Sequence, residues 1–103
     1  MEYRLDNYSR NPQLLLDRLA ANCKARRLEK GYSRRTLSDL TGVPAPTIEH
    51  FERTGKISLE SFCQIAIQFD FFDEMAALLD HTKYATSQEL EIINRNQNRK
   101  NGR

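Results

Sequence analysis

Residues Ser33 to Gly55 read SRRTLSDLTGVPAPTIEHFERTG, and this stretch decides the fold. Ser33 is a helix N-cap, and the helix it starts carries Leu37 and Leu40 on its expected inner side. Gly42 falls where a tight turn needs a residue tolerant of positive φ, and Val43 follows as an apolar plug. Pro44 and Pro46 stand at the start of the next helix, where a missing N–H costs nothing. Ile48 and Phe51 face inward, which leaves Ala45, Thr47, Glu49 and His50 on other faces, and Thr54-Gly55 closes the segment. Two short helices about a glycine turn, within about twenty residues, predict a helix-turn-helix. It is the geometry used to put a second helix, here about 44–53, into the major groove of duplex DNA.

The flanking segments read as support for this pair. Upstream, Asn11-Pro12 is an N-cap followed by proline at the first helical position. Leu15, Leu16, Leu19, Cys23 and Leu28 recur near helical spacing, so a first helix is expected from about Pro12 to Lys30, capped by Gly31. Downstream, Ser58 caps a fourth helix whose Leu59, Phe62, Ile65, Ala66 and Phe69 form one apolar stripe, read as core rather than as a ligand box. Asp70 to Phe72 is a break, and a fifth helix follows from about Asp73 to Leu79. Residues 1–10 form an N-terminal arm with Tyr3, Leu5 and Tyr8. Residues 11–81 form the helical domain. Residues 82–103 form a basic extension with one short helix after Thr86 or Ser87, then a disordered end. The predicted fold is all-α with five helices in the domain.

Composition agrees with one small domain. The chain has 103 residues, 39% apolar and 29% charged, with net charge +2. This length allows one modest core and little room for a deep catalytic cleft. No apolar run approaches the roughly 20 residues that span a bilayer, and the N-terminus lacks a secretory h-region, so a cytoplasmic, nucleoid-associated protein is expected. Cys23 and Cys63 lie far apart without CxxC or histidine spacing, which suggests two small buried apolar side chains rather than a disulfide or metal site. His50 and His81 have no nucleophile or carboxylate at motif spacing, and Glu49 and His50 point in different directions along their helix. No P-loop, GxGxxG or HExxH is present. No enzyme activity, metal or cofactor is therefore expected.

Charge is unevenly placed. Lys24 to Arg35 holds six bases and one acid, Ile57 to His81 five acids and no Lys or Arg, and Thr82 to Arg103 five bases and two acids. A basic side opposite an acidic one is polarised toward a polyanion, although solvated helix faces give the same pattern.

Taken together, the skeleton RRLEKGYSRRTLSDLTGVPAPTIEHFERTGKISLESFCQIAIQF resembles the XRE family, the class of Cro and the lambda-type repressors. The resemblance spans about Leu16 to Leu79. It rests on Arg27, Gly31, Leu37, Gly42-Val43, Thr47-Ile48, Glu52-Arg53 and Gly55 falling in register together. The ending YATSQELEIINRNQNRKNGR is similar to small XRE proteins of the HipB-like antitoxin type.

The resemblance implies a sequence-specific transcriptional regulator, of the repressor kind, that binds a DNA operator as a homodimer. It implies a partly buried ion pair between Arg27 and Glu52. Ser33 and Arg34, grouped with Arg35, would meet the DNA backbone. Ala45, Pro46, Glu49 and His50 would face bases, Thr47 would meet backbone or a thymine methyl, and Arg53 and Lys56 would reach phosphates. The chain departs from the family at Pro44, where a hydroxyl cap is usual, and at Ala45 and Pro46, which cannot hydrogen-bond to bases. Readout partly by shape and phosphate placement is therefore expected. The antitoxin likeness implies a toxin protein as a second partner, and a protein-interaction module without DNA binding is a further alternative.

Overall fold

The computed structural model describes residues 10–83 and 87–98. The expected arm, with Tyr3, Leu5 and Tyr8, and the basic end from Arg99 onward lie outside the described residues. Among the described residues the regular structure is all helical, without strands: α1 (Pro12–Glu29), α2 (Arg34–Thr41), α3 (Ala45–Thr54), α4 (Leu59–Gln68), α5 (Phe72–Ala77) and α6 (Ser87–Gln97). The first five correspond to the expected helices, and α6 falls in the extension where one short helix was expected.

Each early boundary has a local cause. The Asn11 side chain accepts the Gln13 N–H at 2.8 Å, with Pro12 at the first helical position. At its other end the Tyr32 N–H reaches the Arg27 carbonyl and the Gly31 N–H the Leu28 carbonyl, a closing pair of bonds that satisfies the last turn. Ser33 Oγ caps α2 by accepting from Thr36 N–H, and Ser58 Oγ caps α4 by accepting from Ser61 N–H. Pro44 caps α3 without any side-chain bond.

The two helices of the central pair end by the same device. Thr41 Oγ1 donates to the Leu37 carbonyl at 2.7 Å and accepts the Val43 N–H at 3.1 Å. Thr54 Oγ1 donates to the His50 carbonyl at 2.7 Å and accepts the Lys56 N–H at 3.1 Å. Between those bonds Gly42 and Gly55 take φ of 80° and 79°, the left-handed region that a Cβ disfavours. Gly55 has a further constraint, since a Cβ there would stand 3.0 Å from the Leu16 Cβ. Thus α3 ends pressed against α1.

The core is one cluster of Ala20, Leu37, Val43, Ile48, Phe51, Ile65 and Phe69, with Cys23, Tyr32, Ile57 and Phe62 packed on it. Phe51 and Phe62 meet edge to face with centroids 5.9 Å apart. Helix α3 packs on both α1 and α2, α4 packs on α2, and α5 packs on α4.

Several residues expected inside are outside. Leu15 and Leu28 are exposed because the inward seam of α1 runs Leu16, Ala20, Cys23, Arg27. The last place on that seam belongs to a buried arginine, not to the leucine beside it. Leu40 is exposed because α2 turns Leu37 and then Thr41 inward. Leu59, in the first turn of α4, lies beyond the edge of the core and is 73% exposed. Helix α5 is shorter than expected: Phe72 is already helical, whereas Leu78 caps the helix and Leu79, at φ 68°, lies past it. The cysteines are half-buried free thiols rather than fully buried ones.

Candidate nucleic-acid interface

Helix α3 has two unlike sides. Ile48 and Phe51 are fully buried, and the Glu52 side chain is 4% exposed. On the other side Pro46, His50 and Arg53 are exposed and Glu49 is half-exposed, at positions that share one face of a 3.6-residue helix. Ala45 and Thr47 are half-buried at its edges.

Glu52 is fixed from two directions. Arg27 donates from Nε to Oε2 at 2.7 Å and from Nη2 to Oε1 at 3.0 Å, a two-pronged pair. Arg27 Nη1 also donates to the Tyr32 carbonyl at 2.9 Å, tying the end of α1 to the loop before α2. Arg34 adds a third bond, from Nε to Glu52 Oε1 at 3.0 Å, while its side chain remains 41% exposed. One buried carboxylate therefore joins α1, α2 and α3. Burial raises a carboxyl, but hydrogen bonds from Arg27 and Arg34, reinforced by both charges, outweigh that and hold Glu52 below its ordinary value of 4.5. Among the described residues no buried side-chain nitrogen or oxygen lacks a partner.

The expected Arg27–Glu52 pair is thus present and nearly completely buried. The expected backbone contacts are differently engaged. Ser33 Oγ is occupied by its cap and by Thr36 Oγ1, Arg34 is shared with Glu52, and Arg35 is exposed one residue on. Arg53 Nε donates to Glu49 Oε2 at 3.2 Å, and its Nη2 lies 3.4 Å from His50 Nδ1. Glu49 and His50 do not meet directly in this network; Arg53 links them. Lys56 Nζ donates to Gln13 Oε1 at 2.7 Å.

One participant, Gln13, and one bond, from Arg34 to Glu52, escaped the sequence reading. Gln13 receives Lys56 and donates from Nε2 to Asp17 and to the Thr54 carbonyl, closing the far end of α3 onto the start of α1. Two of its partners, Thr54 and Lys56, lie more than forty residues away, a separation no motif spacing encodes. Arg34 is recognisable as a cation at a helix start, but its bond to Glu52 depends on how α2 crosses α3.

On the opposite side, Leu19, Cys23, Phe62, Phe69, Met75 and Leu78 line a largely apolar groove of about 380 Å³ between α1, α4 and α5. Burial pushes the Cys23 thiol up to about 11, with the negative charge of Glu52 adding to the effect. Phe71, Phe72, Leu78 and Leu79 are exposed in and around this groove. No described helix is long and apolar enough to cross a membrane.

Comparisons with protein-family models, with curated proteins and with solved structures return no match, so the functional reading rests on the chain's own residues.

Proposed function

We propose that the protein is a sequence-specific DNA-binding transcriptional regulator of the repressor kind, built on a lambda-repressor-like domain. Its third helix enters the major groove, as the resemblance to XRE regulators implies. The observation that supports this best is the two-sidedness of α3. One side is clamped to the core by Ile48, Phe51 and the Glu52 brace, and the other offers Pro46, Glu49, His50 and Arg53 to solvent. A helix held so firmly behind and left polar in front is suited to rigid-body recognition. Ala45 and Thr47 lie at the edge of the same surface. Ser33, Arg34 and Arg35 stand beside it at the start of α2, where backbone N–H groups and cations favour phosphate.

A single module of this size reads few base pairs, so the active form is a homodimer across a two-fold operator. The exposed Phe71, Phe72, Leu78 and Leu79 supply a surface for that pairing.

The test is duplex binding by fluorescence anisotropy across a salt series. Binding should weaken steeply, with log K falling by about 0.9 per phosphate neutralised for each unit of log salt. A flat response, or no binding at low salt, would overturn the DNA reading. The apolar groove beside an acidic α4–α5 segment supports a second reading, an antitoxin that binds both its operator and a toxin. A neighbouring kinase-like toxin gene and its co-purification with this chain would select that reading over a stand-alone repressor.

A further inference from the structure

Three side chains on the outward face of α3 form a single unit. Arg53 holds Glu49 by its Nε and approaches His50 Nδ1 with its Nη2. A guanidinium has only donors, so the tautomer that suits this contact is the one with a bare Nδ1. With Nδ1 accepting from Arg53, the His50 proton sits on Nε2, and its outer edge is a hydrogen-bond donor. Glu49 has Oε2 engaged and is 44% exposed, so Oε1 is its acceptor for a ligand. Arg53 also offsets the carboxylate charge, without which Glu49 would be repelled by a polyanion.

The unit thus presents one donor and one acceptor on the same helix face, both linked through the Arg53 guanidinium. In the major groove a cytosine amino group is the partner suited to a carboxylate, and guanine N7 and O6 are acceptors on the same base pair. We infer that Glu49 and His50 read one C·G pair. Glu49 accepts from the cytosine N4 amino group and His50 Nε2–H donates to the guanine. Arg53 is the positioning residue for both rather than a phosphate contact. The inference rests on the DNA reading above and adds a base identity to it. It limits direct readout to a narrow patch, consistent with the absence of hydrogen-bonding side chains at Ala45 and Pro46.

The experiment is selection of duplexes from a randomised library by the full-length protein, with a salt titration on the selected duplex, for wild type, Glu49→Gln, Arg53→Ala and Arg53→Lys. Wild type should prefer C·G at one position per half-site by roughly tenfold or more. Glu49→Gln should shift that preference away from cytosine. Arg53→Ala should flatten discrimination at that position and weaken binding as the Glu49 charge is unmasked. Arg53→Lys keeps the charge but not the fork, and should behave like the alanine variant in selection. Both substituted residues are exposed or half-exposed, so unchanged thermal melts will separate these effects from folding. If Arg53→Ala instead lowers the salt slope by about 1 with base preference intact, Arg53 is a phosphate contact and the inference fails. A preference for A·T that survives Glu49→Gln overturns it as well. Salt-dependent binding with no base preference at this position removes this inference alone, whereas no duplex binding removes the DNA reading and this inference together.

Discussion

At the residue scale, the molecule turns on Glu52 and its two arginines. Removing one partner of a buried pair leaves the other charge uncompensated, so Arg27→Met should destabilise the fold by about 3–5 kcal/mol in urea denaturation. Arg34→Met, which removes one bond from a side chain 41% exposed, should cost far less. The depressed Glu52 carboxyl also gives a pH signature. Because its folded value lies below its unfolded value, its contribution is present above about pH 4.5 and is lost as pH falls through the folded value. Stability measured from pH 7 down to pH 3 should therefore drop, and Glu52→Gln should start lower and lose less over the same interval. Cys23 follows from burial in the opposite sense: its thiol, pushed up to about 11, should resist alkylation at pH 8 until the protein unfolds. The ion pair was legible in the sequence only through its register with other residues. Spacing by itself left Arg27 and Glu52 as two charges on different helices, and nothing linear marked Gln13 or the role of Arg34.

At the element scale, caps were legible and inward faces were less so. Asn11-Pro12, Ser33, Ser58 and the Thr-Gly pairs act where local hydrogen bonding alone decides the conformation, and they delimit the helices closely. The inward faces depend on packing, and there the apolar pattern misled at Leu15, Leu28, Leu40 and Leu59. On α1 the error has a specific cause, since the buried seam includes Arg27, which an apolar pattern cannot recognise. The candidate reading face of α3 was legible because Ile48 and Phe51 fix its inner side. The Arg53 link to Glu49 and His50 was not, because it depends on side-chain conformation. The two glycine turns make a direct comparison. Both glycines have positive φ, but a Cβ at Gly42 meets nothing within 4 Å, whereas one at Gly55 meets Leu16. Gly42→Ala should cost about 1–2 kcal/mol from backbone strain. Gly55→Ala should cost clearly more, because α3 must also move off α1, and the difference is readable by thermal denaturation of the two variants.

At the scale of the whole molecule, two surfaces differ in character. Helices α2 and α3 carry three bases, Arg34, Arg35 and Arg53, against three acids, Asp39, Glu49 and Glu52, whereas the α4–α5 segment is acidic and borders an apolar groove. If the latter is where copies pair, Leu78→Glu together with Phe72→Glu should shift the protein from dimer to monomer in light scattering. Binding to a half-site should persist, while the preference for a two-fold operator is lost. A wild-type protein that stays monomeric at tens of micromolar would count against the pairing. The shared carboxylate of Glu52 has one more consequence, which concerns descent rather than stability. Three residues on three helices depend on one another there, so no one of them can drift freely. Loss of Arg34 is the mildest first step, and a replacement at position 27 or 52 persists only if the other changes with it. Among descendants of this chain, positions 27 and 52 should therefore be inherited as a pair, with position 34 varying more freely around them.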